Sequence, residues 1–212
     1  MGSLASELAG GGDFRSQERM KNYLENFSDQ WLDFEPSHEL LAVIETTARV
    51  RDEVCRTNCG SHFVAFTDGS CSPDDHSCPE GPGGWATIIF GPRGERWEVH
   101  DSIAHTTSNR AEVCAMLAAL SCVPHGVHLG IQSDSRYLVD HVRAGCRAND
   151  NDDLWAEIRE MVVAKGILLS ASWVAGHNGH RHNERVDHLA SNRPPSSRSR
   201  RSAPRLALAG AR

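Results

Sequence analysis

The sequence predicts an α/β domain built around one mixed sheet, and two features of its element order carry this prediction. Three strand-like segments follow one another between residues 62 and 103, which favours an antiparallel meander. After them, segments with helical periodicity alternate with two further strand-like segments, an order typical of parallel strands connected by helices. The 212 residues leave room for one domain with extensions.

The first predicted strand runs from His62 to Asp68 and is bounded by Gly60 and Gly69. Its aromatic and β-branched residues are typical of a buried strand. Because an unpaired buried carboxylate is costly, Asp68 is expected to pair with a cation, to cap the turn before Gly69, or to hold a metal. The residues around Asp68, taken alone, favour the turn cap.

The next three elements lead to a second acid. Strands are predicted over residues 84–90 and 95–103, joined by a turn rich in Gly and Pro. A helix is predicted over residues 106–122, capped by Ser108 and with apolar side chains at helical spacing. Glu112 is expected in the first turn of this helix, near the positive end of its dipole.

The second half of the chain alternates strands and helices and adds two further acids. Its predicted elements are, in order, a strand over 127–134, helices over 135–144 and 154–165, a strand over 167–174 and a helix over 183–190. The first of these strands ends in Asp134. The last helix follows a loop rich in Gly and His and carries Asp187 one turn from its start. Four acids are therefore expected near the ends of elements.

Residues 1–60 are predicted to form an N-terminal extension, disordered at first and helical later. The Gly-, Ser- and Ala-rich start indicates disorder, whereas Pro36-Ser-His-Glu39 indicates the beginning of a helix. Residues 37–57 would then present an apolar face formed by Leu41, Ile44, Ala48 and Cys55. This face can pack on the domain or bind a protein partner, and the sequence leaves both options open.

The domain itself is predicted over residues 61–192, followed by a disordered basic tail over residues 193–212. Residues 192–212 hold six arginines and no acid, which leaves 16 basic and 28 acidic side chains, a net charge of −12, on the other 191 residues. An acidic domain binds a polyanion poorly unless metal ions or a basic patch offset its charge. The tail could serve as a basic arm, a nuclear-import signal or a solubilising segment.

The seven cysteines predict an intracellular protein, cytoplasmic or nuclear, without a disulfide framework. Their number is odd and no two are spaced as CxxC. A zinc site could be drawn from Cys71, His76 and Cys78 with Cys55 or Cys59, but the irregular spacing does not favour it. No membrane partner is expected, because the sequence has no run of 18 apolar residues and no signal-like start.

The four acids lie in short motifs, which are Thr67-Asp-Gly-Ser70, Thr107-Ser-Asn-Arg-Ala-Glu112, Ser133-Asp-Ser135, and Trp173 to His180 followed by Asn183-Glu-Arg-Val-Asp187. In this order, over residues 62–191, the motifs resemble the ribonuclease H type 1 (RNase HI) family. The resemblance implies an RNase H-like fold, a five-stranded mixed sheet of order 3-2-1-4-5 flanked by helices. It also implies an endonuclease that hydrolyses the RNA strand of RNA–DNA hybrids and leaves 5′-phosphate and 3′-hydroxyl ends.

The acids also have a chemical meaning of their own. Asp68 and Asp134 follow strands whose ends open into one crevice of the sheet. Four carboxylates in one pocket repel one another, and their hard oxygens select Mg²⁺ or Mn²⁺ over zinc. The resemblance implies that two Mg²⁺ ions, for which Mn²⁺ can substitute, bind the catalytic residues Asp68, Glu112, Asp134 and Asp187. For Asp68, the role of metal ligand now outweighs that of turn cap.

The resemblance further implies that His177 takes part in catalysis by proton transfer or product release. It lies in a glycine-rich loop, and a histidine can carry protons near neutral pH. The alternative is an exposed loop histidine without such a role. The implied nucleic-acid-binding residues, some of which would meet RNA 2′-hydroxyls, are Gly69, Ser70, Cys71, Thr107, Ser108, Asn109, Arg136 and Asn183.

Two departures from the family weaken the expected hold on nucleic acid. Arg136 stands where an amide is common and is a donor only, and residues 144–153 replace a basic handle with an acidic stretch. Fewer phosphate contacts predict weaker binding that depends less on salt. The alternatives to an active nuclease are a weak or inactive binding module, and a nuclease domain of a larger complex that docks through residues 37–57. A monomer is expected.

Overall fold

The computed structural model describes residues 36–57, 61–72, 80–146 and 150–191. Its elements are, in chain order, α1 His38–Thr57, β1 His62–Cys71, β2 Gly81–Phe90, β3 Arg96–Thr106, α2 Ser108–Cys122, β4 His128–Ser133, α3 Arg136–Arg143, α4 Asp152–Lys165, β5 Leu168–Trp173 and α5 Arg181–Ser191. None of these helices is both long and apolar enough to cross a membrane. The predictions for the start of the extension, for the basic tail and for a zinc site with Cys59, His76 and Cys78 lie outside the described residues.

The five strands form one mixed sheet in the order β3-β2-β1-β4-β5, which confirms the predicted fold class. β1 pairs antiparallel with β2, and β2 with β3, as expected of a meander. β4 pairs in parallel with both β1 and β5, which helical connections allow. The central strand β1 therefore has a neighbour of each kind.

β1 is longer than predicted, and this changes the place of Asp68. The strand continues to Cys71 because its second half pairs with β2 alone, so Asp68 lies inside β1 and not at its end. The parallel pairing with β4 stops earlier, at Phe66 opposite Gln132. Asp68 and Asp134 each lie two residues beyond this last pair, which brings both acids to the same edge of the parallel half of the sheet.

Helix α2 is the central helix and is buried on all sides. Every residue over 111–122 is buried, because the helix packs between the sheet and the helices α1 and α4. Its cap is Thr107 and not the predicted Ser108, since Thr107 has an extended backbone and its hydroxyl oxygen accepts a hydrogen bond from the N–H of Arg110 at 3.2 Å. Glu112 consequently lies one turn inside the helix and not in its first turn.

Helix α1 packs on the domain, against α2 and β3, so its apolar face is covered by the chain itself. It begins where predicted, because Ser37 Oγ accepts a hydrogen bond from the N–H of Leu40 at 3.1 Å. The predicted apolar face was wrong at three positions, since Leu41 and Ala48 are only half-buried and Cys55 is exposed. The apolar side chains that this helix buries are Leu40, Val43, Ile44 and Val54.

Helix α5 covers the opposite face of the sheet. Its apolar side chains pack on Phe66 of β1 and on Ala86 and Ile88 of β2 in a small second core. The larger core lies on the other face, under α1 to α4. Because α5 crosses β1 here, its residues and those of α2 approach β1 from opposite faces of the sheet.

Candidate active site

Three of the predicted acids meet where the parallel pairing of β1 and β4 ends. Asp68, Glu112 and Asp134 each offer a carboxylate oxygen, and these oxygens all lie within 4.8 Å of one another. Asp68 and Glu112 are 8% and 7% exposed, and Asp134 is half-buried. Carboxylate oxygens grouped in this way are the ligands that Mg²⁺ and Mn²⁺ prefer.

Glu112 reaches this edge because α2 lies directly against β1 at Gly69. A Cβ atom at position 69 would overlap the backbone of Ala111 and of Glu112. Only glycine permits so close an approach of helix and strand. The glycine that follows Asp68 therefore sets how near the helix brings Glu112 to the strand acid.

Burial and neighbouring carboxylates raise the pKa of two of these acids. Burial, and then repulsion from Asp134 and Asp187, raises the pKa of Asp68 to about 7, although a backbone hydrogen bond and a nearby imidazole oppose the shift. Burial and the charges of Asp68 and Asp134 likewise hold the pKa of Glu112 well above its ordinary value. A cation among the oxygens would favour the ionised forms of Asp68 and Glu112.

One oxygen of this cluster has no hydrogen-bond partner in the part of the chain that the structure describes. It is Glu112 Oε2, which is buried. The N–H of Gly69 and the hydroxyl of Ser133 interact with the carboxylate and partly oppose the rise in its pKa. A buried acceptor without a donor costs ~1–3 kcal/mol, and more when charged. A divalent cation would satisfy this oxygen, so the donor set fits a hard metal ion.

Neighbours from β5 and α5 hold Asp134 in place. The side-chain amide of Asn183 donates a hydrogen bond to Asp134 Oδ2 at 3.0 Å. The indole N–H of Trp173 donates to the backbone carbonyl of Asp134, also at 3.0 Å. A Cβ atom at Gly176 would lie 2.6 Å from Asp134 Oδ2, so the loop after β5 also closes against the carboxylate. Such contacts fix the direction of a ligand group before a ligand binds.

Asp187 lies beside the three acids but outside their tight cluster. Its side chain is 37% exposed, and its Oδ2 is 3.7 Å from Nδ1 of His177. Its charge still reaches Asp68, whose pKa it helps to raise. His177 is 83% exposed and has a left-handed backbone with φ of 49°. Asp187 as a fourth ligand and His177 as a proton carrier stay predictions.

Three of the predicted nucleic-acid-binding side chains are exposed: Ser108, Asn109 and Arg136. Ser108 and Asn109 begin α2, one turn before Glu112. Arg136 begins α3, and its guanidinium lies 4.0 Å from the centre of the Trp173 ring, in a cation–π contact. Ser108 and Asn109 thus lie within four residues of Glu112, and Arg136 lies two residues after Asp134.

The other predicted contact residues are already bonded within the chain. The hydroxyl of Ser70 and the thiol of Cys71 each donate to a backbone carbonyl, at 2.8 and 3.1 Å. Thr107 caps α2, and Asn183 is 2% exposed with its amide directed at the acids. Gly69, like the two residues after it, is half-buried, so these three would meet a ligand through their backbone.

An aromatic network occupies the connection between α3 and α4, where the family's basic handle was expected to be missing. The hydroxyl of Tyr137 accepts hydrogen bonds from the indole of Trp155 at 3.0 Å and the amide of Asn151 at 3.1 Å, and donates to the carbonyl of Asp150 at 2.8 Å. The ring of His141 stacks on Trp155 with 5.3 Å between centroids. The described residues of this connection include no Lys or Arg.

Sequence analysis missed the side chains that support the acids. Ser133 and Trp173 act on Glu112 and Asp134, and Asn183 was expected to act on nucleic acid instead. A positional signal existed for the first two. They end the parallel strands β4 and β5 and lie opposite each other, at the edge where sites of α/β sheets form.

Known proteins share the region that contains this site. A family model described as RNase H matches residues 60–194. The Ribonuclease H of Erythrobacter litoralis is 33% identical over 139 residues, which cover 59% of this chain and 91% of that protein. The Ribonuclease H of Rhodospirillum rubrum is 37% identical over 139 residues, which cover 59% of this chain and 78% of that protein.

A solved structure gives a similar comparison. LC9-RNase H1, described as a type 1 RNase H with the type 2 active-site motif, is 27% identical with a TM-score of 0.51. The alignment covers 61% of this chain and 70% of that chain. Helix α1 precedes the region that the family model matches.

Proposed function

Because the chain belongs to the RNase H family, we propose that it is a metal-dependent endonuclease that hydrolyses the RNA strand of RNA–DNA hybrids. The observation that carries this proposal is the convergence of Asp68, Glu112 and Asp134, whose oxygens lie within 4.8 Å of one another. Three mutually repelling carboxylates are unfavourable without a cation, and a module that only bound nucleic acid would gain nothing from them. The proposed products carry 5′-phosphate and 3′-hydroxyl ends.

The proposed metal ligands are these three acids together with Asp187, and they would hold two Mg²⁺ ions, for which Mn²⁺ can substitute. Ions bound there would activate a water molecule and neutralise the leaving oxygen of the phosphodiester. Asp187 supports the proposal because its charge acts on Asp68 although its side chain is partly exposed. Strand β1, the residue that follows β4, helix α2 and helix α5 would thus supply one ligand each.

His177 is proposed to carry protons between the site and solvent. Its imidazole is exposed and lies 3.7 Å from Asp187, so it can exchange a proton at Nδ1 beside the acids and at Nε2 with water. The glycines at positions 176 and 179 flank it, and Gly179 has a φ of 75° that other residues rarely adopt. A loop of this composition allows the imidazole to approach a bound substrate.

The hybrid is proposed to lie along the edge formed by β1 and the start of α2. Ser108 and Asn109 would meet RNA 2′-hydroxyls, and the backbone over 69–71 would add further contacts. Arg136, supported by Trp173, would contact a phosphate. Because the aromatic network at α3–α4 offers no cation in its described residues, we expect hybrid affinity to depend only weakly on salt.

The decisive test is cleavage of end-labelled RNA–DNA hybrid, double-stranded RNA and single-stranded RNA, side by side, in Mg²⁺ and in Mn²⁺. We expect the RNA strand of the hybrid to be cut and the two RNAs to stay intact. Asp134→Asn should abolish cleavage with near-normal folding, because asparagine keeps the size and removes the charge. Binding of the hybrid without cleavage in either metal, unaltered by Asp134→Asn, would overturn the proposal and favour a binding module.

The proposal includes a monomer inside the cell, in the cytoplasm or nucleus. Intracellular redox conditions are consistent with the cysteines, since Cys55, Cys114, Cys122 and Cys146 are free thiols in the part of the chain that the structure describes. A protein partner that binds residues 37–57 would have to use the outer face of α1, because the apolar face packs on the domain. Size-exclusion chromatography with light scattering tests the oligomeric state.

A further inference from the structure

Helix α1 precedes the region shared with the family, yet it touches the helix that carries Glu112. The family match begins at residue 60, and α1 ends at Thr57. Besides its apolar packing, α1 and the residue before it contact three different elements through polar groups. These contacts are Ser37 N–H to Glu157 Oε1 of α4 at 2.6 Å, Thr46 hydroxyl to Asp101 Oδ2 of β3 at 2.7 Å, and Arg110 Nε of α2 to Glu39 Oε1 at 2.8 Å.

The contact between Glu39 and Arg110 is the one nearest to the acids in sequence. Arg110 lies in the first turn of α2, two residues before Glu112, and its N–H bonds to the cap Thr107. Its guanidinium donates to Glu39 on one side and to Asp153 of α4 on the other, where Nη2 lies 2.6 Å from Oδ2. The planar fork of one arginine therefore ties three helices together at the start of α2.

A restraint is needed at this place because the acids repel one another. Their carboxylate oxygens lie within 4.8 Å of one another, so the ionised forms that would bind a cation are held together only by the surrounding fold until the cation arrives. The first turn of a helix is also where its backbone frays most easily. Glu39 is only 9% exposed, and separating a buried ion pair leaves an uncompensated charge. The pair with Arg110 therefore resists a movement of the turn that leads to Glu112.

We infer that Glu39 is a positioning residue for the metal site. Through Arg110 it holds the first turn of α2 so that Glu112 stays beside Asp68 and Asp134 before a cation binds. The inference rests on the proposed function, since the cation is the one that hydrolysis would use. A ligand group that is already in position loses less conformational freedom on binding, which strengthens metal affinity.

The test compares full-length wild type with Glu39→Gln by calorimetric titration with Mn²⁺ in the absence of substrate. Glutamine keeps the length of the side chain and an oxygen that can accept from Arg110, but it removes the charge. We expect the dissociation constant for Mn²⁺ to rise roughly three- to tenfold, the range for neighbouring groups that couple. The metal concentration for half-maximal hybrid cleavage should rise by the same factor, and excess metal should restore the rate.

Thr46→Val is the matched control. It removes a different polar contact of α1, the one with Asp101 on β3, and leaves the pair of Glu39 with Arg110 in place. We expect it to lower the melting temperature about as much as Glu39→Gln while Mn²⁺ affinity stays at the wild-type value. Glu45→Gln, exposed on the same helix, controls for the loss of one negative charge at long range.

The outcomes separate the inference from the proposed function. Unchanged Mn²⁺ affinity in Glu39→Gln would overturn the inference, and so would an equal loss in Thr46→Val, because α1 would then act through stability alone. If wild type binds Mn²⁺ but cuts no hybrid, the proposed function fails while the isotherms still decide the inference. Should Glu39→Gln not fold, Glu39→Asp, which keeps the charge but shortens the side chain, is compared with Thr46→Val in the same way.

Discussion

The two ends of helix α2 both bury charged side chains, but the chain satisfies them differently. At the N-terminal end, Glu112 meets Asp68 and Asp134, and its Oε2 has no hydrogen-bond partner among the described residues. At the C-terminal end, the ammonium of Lys165 donates to two backbone carbonyls of the last turns, at 2.5 and 3.3 Å. One end gathers like charges, whereas the other pairs a cation with the negative end of the helix.

This difference separates a structural charge from the charges of the proposed metal site. Burial lowers the pKa of Lys165 to about 8. The ammonium of Lys165 nevertheless has a structural role, because it satisfies carbonyls at the end of α2. The raised pKa of Asp68 has a different origin, since burial and two neighbouring acids contribute to it. A perturbed pKa therefore does not identify a site on its own. The candidate site is instead indicated by like charges that lie together around an oxygen without a hydrogen-bond partner among the described residues.

The largest expected effect comes from Glu112→Gln. Loss of one direct ligand should lower the hybrid-cleavage rate by at least about a hundredfold, since even indirect supports of a metal site are worth ~10–100-fold. The metal-free variant should melt at a higher temperature than wild type, because a repelled buried carboxylate is gone. Steady-state cleavage and metal-free calorimetry check both parts. If Glu112→Gln loses activity and also melts at a lower temperature than wild type, this account of the N-terminal end of α2 is contradicted.

The next effect is a pH dependence of the metal-free protein. The pKa of Asp68 is raised from 3.8 to about 7, so the folded state holds its proton more tightly than the unfolded state. The contribution of Asp68 to the free energy of unfolding is fully present below about pH 4. It is lost as the pH rises through 7, which lowers the free energy of unfolding by roughly 2–4 kcal/mol. Denaturant unfolding from pH 4 to 8 measures it. Saturating Mg²⁺ should flatten the curve. Glu112, whose pKa is also raised, contributes to the same fall, so the fall should shrink in Asp68→Asn, and an undiminished fall would exclude Asp68 as a source.

At the other end of α2, Lys165→Met should change stability without changing chemistry. The variant leaves two buried carbonyls without their donor, a loss of about 1–3 kcal/mol that should show in full near pH 10.5, where the wild-type amine no longer carries the cost of a buried charge. Because the pKa of Lys165 is lowered from 10.5 to about 8, its charged form costs stability below pH 8, and wild type should regain that stability between pH 8 and 10.5. Activity per folded molecule should match wild type. A loss of kcat would contradict the structural role.

The smallest expected effect concerns substrate binding at the exposed start of α2. Asn109→Ala should raise the KM for the hybrid about fivefold with little change in kcat, the equivalent of one hydrogen bond of ~1 kcal/mol. His125→Ala, an exposed position beyond the other end of the helix, is the control and should leave KM unchanged. Equal effects of both variants would mean that the start of α2 does not contact the hybrid.

Much of the fold could be predicted because its signals are local. The strand meander and the alternation that follows require only the period of apolar residues, and the resemblance of the four motifs to the RNase HI family implies the strand order that is observed. The errors lie where a neighbour distant in sequence decides. β1 extends past Asp68 because β2 pairs with it, and the face of α1 buries Leu40 in place of Leu41 because of how it lies on α2.

The candidate site divides in the same way. Its acids could be named from short motifs, since only carboxylates in such positions suit a hard cation. The side chains that support these acids could not be predicted from such motifs. The amide of Asn183 bonds to Asp134 across 49 positions of the sequence, and Arg110 bonds to Glu39 across 71. The spacing of apolar residues along the sequence does not indicate pairs so far apart.

The amino-acid sequence thus determined the element order, the fold class and the acids, because each depends on residue type and local spacing. Only the folded chain decided which charges lie together. Glu157 and Glu112 are both buried, both accept hydrogen bonds, and both keep an Oε2 without a partner among the described residues. Only Glu112 lies within 4.8 Å of two further carboxylates, because tertiary packing places Asp68 and Asp134 beside it, and this distinguishes the candidate ligand from the anchor.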